Sequence, residues 1–421
     1  MKIRKLRFGL FFSLIKRSFS VDNEKSYDVV IAGGGLMGLS VAYFLARRIT
    51  PSSVCVVERD LQFKQNSSVR SWGSIRHQFS IPENIQMSQF GFDFLKNLNC
   101  YLGSESEDFV DVQLKYGTYC FLASESGKAV LEENIEIQRT ENVNISSLSK
   151  EKLFEKYSWL NTEGIAIATN VDIGEGWFDP WLLLTHLKNK ICSMGVHIIE
   201  GDIISLNMEG YKISDAVLKK PNNEIIKLNC GHLVNATGAW ANSLSHMVNV
   251  DLPVRASKRV TYVVHCPDGF NDPVLLFDTT QNFYIRPECS KHYIVASHPE
   301  KEEYYDANLN FDVDFEYFQT NIWPKLAYRI PVFEKLKVSN AWVGYYDYNI
   351  LDQNGIISAH PEIDNFYFCN GFSGHGLQQS PAAGRAISEL ILDGHFTTLD
   401  LSRFSFERFE NNDLVMENNV I

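Results

Sequence analysis

Tyr27-Asp28-Val29-Val30-Ile31-Ala32-Gly33-Gly34-Gly35-Leu36-Met37-Gly38 is the stretch whose reading decides the fold. A short run rich in β-branched and apolar side chains reads as a strand, the glycines turn it, and Leu39-Ser40-Val41-Ala42-Tyr43-Phe44-Leu45 continues as a helix. In the pattern G-x-G-x-x-G, Gly33 permits the turn, Gly35 lets the backbone approach a pyrophosphate, and Gly38 lets helix and strand pack closely. Leu36 and Met37 open the helix, whose N-terminal N–H groups face the phosphates.

Outward from the turn, Val54-Cys55-Val56-Val57 reads as a second strand and ends in Glu58, twenty residues after Gly38, with Arg59 beside it. A carboxylate at that strand end accepts hydrogen bonds from adenosine ribose hydroxyls and repels a 2′-phosphate, which favours FAD or NAD over NADP. On the N-terminal side, the first 21 residues contain Lys2, Arg4, Lys5, Arg7, Lys16 and Arg17 and no acid before Asp22. Residues 1–20 therefore read as a mitochondrial presequence, with Arg17-Ser18-Phe19-Ser20 resembling a matrix-protease site that cuts before Val21. The apolar stretch Phe8 to Ile15 falls far short of the roughly 20 residues that span a bilayer, so the mature chain is expected to be soluble or peripheral to a membrane.

At 421 residues the chain is long enough for one large two-lobed domain or two domains. A net charge of −12 with no basic stripe leaves a nucleic-acid role without an electrostatic footprint. The eight cysteines lie far apart and form no C-x-x-C pair, which argues against a structural zinc site and a disulfide scaffold.

Near the other end, Gly371-Phe372-Ser373-Gly374-His375-Gly376-Leu377-Gln378 precedes Pro381 and the amphipathic run Ala386 to Leu392, placing a tight turn before a helix N-terminus. That end carries partial positive charge, and aimed at the N1 and C2-carbonyl side of a flavin it would stabilise the anionic reduced state. His375 and Gln378 can add hydrogen bonds there, although His375 also reads as a satisfied structural histidine.

Together these blocks resemble the D-amino-acid-oxidase-like flavoproteins, which include sarcosine oxidases and dimethylglycine dehydrogenases. The resemblance runs from about Tyr27 to Leu401. It implies a Rossmann-type α/β FAD-binding lobe at residues 26–80, 150–245 and 340–402, a mixed-sheet substrate lobe at 81–149 and 246–339, and a tail at 403–421. Further cofactor contacts are implied along Ser67-Ser68 to Phe79, taking in Ser74, Ile75 and Arg76, and at Ala236-Thr237-Gly238 with Trp240. The last block, with Gly371, Ser373, Gly374, His375, Gly376, Leu377 and Gln378, is the part nearest the flavin.

Relatives that bind FAD covalently use a histidine after a tryptophan, where this chain has Gly73 after Trp72, or a cysteine at the position of Gly344. FAD is therefore expected to be dissociable, His77 being the first suspect if it is not. Tyr284 and Arg286, on one face of the strand-like Phe283-Tyr284-Ile285-Arg286-Pro287, stand where relatives hold a substrate carboxylate, and with His375 they are the candidate catalytic residues. Asp278 is the alternative partner for Arg286. Lys258 and Arg259 are further candidates for a basic group near the flavin.

The implied chemistry is oxidation of a small secondary or N-methyl amine, which rests on the resemblance alone. Within the family, Glu175 to Trp181, Gly344 to Asn349 and the ending Glu417 to Ile421 resemble members associated with assembly of mitochondrial respiratory complex I. That resemblance implies a place in the matrix or on the matrix face of the inner membrane, with complex I assembly intermediates as partners. Trp342 to Tyr348 and Glu300 to Asp314 offer candidate contact surface.

Overall fold

A computed structural model describes residues 24–103, 109–305 and 309–417. The proposed presequence, its cleavage point and the ending Asn418 to Ile421 lie outside the described residues.

The strand expected before the glycine turn spans Glu24–Ala32 and lies between two parallel neighbours, Val54–Glu58 and Ile225–Asn235. His197–Glu200 extends this parallel core on one side, and Phe366–Asn370 joins Ile225–Asn235 in parallel at the register Leu233 to Phe366. Antiparallel strands Asp202–Glu209, Lys212–Lys219 and Ile356–Ala359 complete eight. Val54-Cys55-Val56-Val57 is buried along its whole length, as a parallel strand covered on both faces requires. Helices Leu36–Ala46, Pro180–Met194 and Gly376–Asp393 cover one face.

A second, nine-stranded mixed sheet stands over the first. In it Val254–His265 pairs antiparallel with Lys337–Asn349 along almost its entire length, and Val274–Asp278 runs parallel to Thr118–Ala123. The arrangement is the expected one, a Rossmann-type lobe and a mixed-sheet lobe built from interleaved segments.

The lobes divide the chain differently from the boundaries read in the sequence. Ile167–Val171, placed with the nucleotide lobe, pairs with Thr118–Ala123 in the second sheet, and so does the Lys337–Asn349 strand through Val254–His265. Pro82–Lys96, placed with the substrate lobe, buries Met87, Phe92, Phe94 and Leu95 against the nucleotide-lobe helices. Strand pairing and apolar faces decide these memberships, and neither follows sequence order.

The expected tail is also part of the body. Arg408 and Asp352 form a buried ion pair at 2.6 Å, and Val415 is buried. The carboxylate of Glu417 accepts from the Ser80 amide at 2.8 Å and from Asn84 Nδ2 at 3.0 Å, tying the last described segment to the start of the Pro82–Lys96 helix.

Candidate functional site

One cavity of about 520 Å³ runs from the glycine turn to the Gly374 block and ends under the second sheet. At its first end Gly33 has φ +103°, and a side chain there would place Cβ 2.3 Å from the Ala236 carbonyl oxygen. At Gly38 a Cβ would lie 1.9 Å from the Gly33 carbonyl, so only glycine allows helix and turn to close. Glu58 Oε2 accepts from the Gly34 amide at 2.8 Å and Oε1 from the Asp60 amide at 3.0 Å. Burial pushes this carboxyl above its ordinary range, while those two amides pull it back. Arg59 lies 3.4 Å over the ring of Trp240, closing the same end with Thr237 and Gly238. Ser68 Oγ faces the Leu36 amide at 3.5 Å, and Ser67 Oγ is anchored on the Tyr345 carbonyl at 2.6 Å.

The helix behind the far end starts at Gly376, with His375 as its N-cap, so Pro381 lies inside the helix and not at its start. Proline has no N–H to give the Leu377 carbonyl four residues back, and Ser380 Oγ takes that acceptor at 3.0 Å. Gly374, at φ +99°, turns the chain into this helix. Asp347 holds the turn by accepting from the Gly371 amide at 2.7 Å and the Phe372 amide at 3.1 Å, and burial raises its carboxyl to about 6.

Beside the helix end Arg76 is fully buried. Its Nη2 donates to His375 Nε2 at 3.2 Å, its other terminal nitrogen to the Gln78 carbonyl, and its guanidinium lies 4.1 Å over Phe79. Gln378 Oε1 accepts from the Arg76 amide at 2.7 Å. Burial first, then Arg76 and His298, hold His375 well below the usual imidazole range, so it is neutral with its proton on Nδ1. Glu175, wholly buried, accepts from the amides of Tyr119 and His77 and from Gln78 Nε2, which fixes the Arg76 segment against Tyr119.

Most of the residues singled out in the sequence line this cavity: Gly33, Gly35, Leu36, Met37, Glu58, Arg59, Ser67, Ser68, Ser74, Arg76, Ala236, Thr237, Gly238, Trp240, Tyr284 and Gly374 through Gln378. Gly38, Ile75, Gly371 and Ser373 do not. Gly38 is packed on Gly33; Ile75 points to the opposite face of its strand from Ser74; Gly371 and Ser373 serve the turn, Ser373 Oγ accepting from the Asn349 amide at 3.0 Å.

Arg286 also stands off the cavity. It shares a face with Tyr284, but two residues along a strand carry it roughly 6.6 Å further. There it donates to the Trp72 carbonyl at 2.6 Å, pairs with Glu288 and lies 5.1 Å over Trp177. The alternative partner Asp278 instead holds Arg329 at 2.5 Å, and both are buried.

Of the adjacent pair Lys258 and Arg259, alternation sends Lys258 outward to the Asp312 carbonyl at 2.8 Å and Arg259 into the cavity, 4.7 Å over the Tyr346 ring. Tyr346 and Tyr284 share a side-chain hydrogen bond. Asn66, Tyr119 and Tyr346 line the cavity without having been singled out. Tyr119 sits on an ordinary strand with no motif, so no signal in the chain marks it, whereas Tyr346 lay within an already noted segment.

A parallel sheet with a glycine turn at one strand end, a carboxylate at the end of the next strand and a cavity leading to a second helix N-terminus define an FAD-binding flavoprotein. The lining fits the cofactor: Gly33 and Gly38 leave no room for a side chain, and Glu58 and the two helix ends would supply the polar contacts. The chain belongs to the DAO family of FAD-dependent oxidoreductases, whose model matches residues 28–390. It is 42% identical over 423 residues to FAD-dependent oxidoreductase domain-containing protein 1 of Xenopus laevis, covering 94% of this chain and 85% of that protein. The Bos taurus protein of the same name is 41% identical, covering 94% and 87%. Among solved structures, L-proline dehydrogenase from P. horikoshii superposes with a TM-score of 0.79 at 24% identity, covering 93% of this chain and all of that one. Among the described residues, no helix is long and apolar enough to cross a membrane.

Proposed function

We propose that this chain oxidises the carbon–nitrogen bond of a small secondary or N-methyl amine that carries a carboxylate, within the mitochondrion. One observation carries the reading: two buried arginines, Arg76 and Arg259, line the same end of the cavity as the hydrogen-bonded Tyr284 and Tyr346. Buried guanidinium groups draw a carboxylate out of water, and phenolic hydroxyls offer it further donors. Bound FAD supplies the hydride acceptor. The chain supplies position: Gly33, Gly35 and the Leu36–Ala46 helix would hold the pyrophosphate, Glu58 the ribose, and Gly374 to Gln378 the flavin. His375 serves by fixing Arg76, and Arg286 by holding Trp72 in the cavity wall. L-proline, for which the P. horikoshii dehydrogenase is named, is a secondary amine with one carboxylate, although that likeness is one of fold.

The test is anaerobic addition of N-methylglycine, N,N-dimethylglycine and proline to the FAD-loaded protein. Bleaching of the flavin absorbance by at least one of them, lost in Arg76→Ala, is expected. A flavin that stays oxidised with every one of these amines would sink the reading.

A second role is support of respiratory complex I assembly at the matrix face of the inner membrane, with assembly intermediates as partners. It is favoured by the basic, acid-free leader and by the segments that resemble assembly-associated members of the family. If assembly needs only the folded, FAD-loaded chain, cells lacking the protein regain complex I with Arg76→Ala but not with Gly38→Ala. Failure of both variants to restore complex I, with both accumulating normally, would tie assembly to catalysis.

A further inference from the structure

Arg259 is a cavity-lining cation whose fork is filled from within the chain. Its Nη2 donates to Glu302 Oε1 at 2.7 Å and its Nη1 to Glu302 Oε2 at 3.2 Å, a paired-donor geometry on one carboxylate. Ser257 joins the two, accepting from Nη1 at 2.7 Å and donating to Glu302 Oε2 at 2.5 Å. The short strand Tyr304–Tyr305 pairs with Ala256 and Ser257, so backbone register brings Glu302 to Arg259. Glu300 and Glu303 are exposed, and among these three neighbouring acids Glu302 alone turns inward.

The plain alternative is that Glu302 merely neutralises a buried arginine, as Asp278 does for Arg329. That pair is sealed, at 1% and 0% side-chain exposure, and does not line this cavity. Arg259 differs: it lines the cavity, its buried Nε has no hydrogen-bond partner, and its counter-ion, outside the cavity lining itself but close enough to act on the Tyr284 and Tyr346 hydroxyls, keeps 25% of its side chain exposed.

Resting on the carboxylate-binding reading above, we propose that Glu302 is a specificity-determining residue, and that by occupying the Arg259 fork it limits the cavity to substrates with one carboxylate. A substrate carboxylate meets Arg76 and the Tyr284 and Tyr346 hydroxyls, with the Arg259 guanidinium stacked on the Tyr346 ring beside it. A second carboxylate would stand against Glu302, or displace it and leave a half-buried anion unpaired. Asp347, the other acid at this end, is turned onto the Gly371 and Phe372 amides and relieves none of this repulsion.

The test titrates the FAD-loaded full chain with acetate and with malonate, read by perturbation of the flavin absorbance, so that turnover is not needed. Wild type is expected to bind acetate more tightly. Glu302→Gln, which keeps a polar partner for Arg259 but removes the charge, is expected to tighten malonate at least roughly tenfold more than it tightens acetate, a smaller effect than one full like-charge contact near a protein surface. An unchanged acetate-to-malonate ratio in Glu302→Gln, or a wild type that already prefers malonate, overturns the proposal. The wild-type preference tests it even where the variant fails to load flavin. If neither anion perturbs the flavin in either protein, the carboxylate-binding reading itself falls and takes this proposal with it.

Discussion

Arg76 Nη2 lies 3.2 Å from His375 Nε2, joining segments 299 residues apart in the chain. Because a guanidinium only donates, the imidazole must accept at Nε2 and stay neutral. Arg76→Ala removes this clamp and leaves the Gln78 carbonyl short of its guanidinium donor. We expect a loss of about 2–4 kcal/mol in denaturant unfolding. Acetate binding, followed through the flavin spectrum, should weaken at least roughly tenfold, as loss of a charged hydrogen-bonding partner implies. A variant that binds acetate like wild type would place the carboxylate elsewhere.

Gly38→Ala drives a methyl group to 1.9 Å from a backbone carbonyl that has nowhere to move. The purified variant is expected to be nearly colourless and to melt at a lower temperature than wild type. Full flavin content on reconstitution would show that the turn tolerates the strain.

Burial lifts the Glu175 carboxyl from 4.5 to about 7. The sign follows from linkage: below about pH 4.5 the group is protonated folded or unfolded, and its contribution to stability is fully present. As pH rises towards 7 the unfolded chain ionises first and that contribution is lost, by at most about 3 kcal/mol. Asp347, raised to about 6, acts in the same sense at lower pH, whereas the buried His77, His298 and His375, all depressed, act in the opposite sense up to about pH 6.5; these contributions are common to wild type and variant, so the difference between the two belongs to Glu175. Melting curves between pH 4.5 and 8 should show a shallower decline in Glu175→Gln than in wild type, and equal slopes would refute the assignment.

Arg329→Met leaves Asp278 buried and without its cation. Uncompensated buried charge costs about 3–5 kcal/mol, so urea unfolding should shift by that amount while the flavin spectrum of the folded protein stays unchanged. Arg286→Met, whose partner Glu288 is partly exposed, should cost clearly less.

With Gly73 after Trp72 and Gly344 in the strand over the cavity, neither position offers a nucleophile to the flavin. His77 lies outside the cavity lining, and burial depresses it to about 4. Acid precipitation should leave the flavin in the supernatant. Yellow colour remaining with the pellet would contradict dissociable binding.

The glycine turn, the strand before it, the helix after it and Glu58 were legible in the chain because each rests on local rules: strand alternation, helical continuation, and backbone space only glycine provides. The Gly371 to Gln378 block was legible for the same reason, apart from its exact helix start, which Ser380 made possible by covering for Pro381. What only the tertiary structure decided is which side chains meet. The register that sets Arg259 opposite Gly344 and Ser257 opposite Tyr346 brings Arg259 to the cavity, and alternation sends Lys258 away. Asp278 chose Arg329 over Arg286, and Ile167–Val171 crossed into the other lobe, because pairing across a sheet depends on register and burial between segments distant in sequence. Motifs record how the backbone bends within a few residues, whereas charge partners and cavity walls arise from contacts that no short stretch contains.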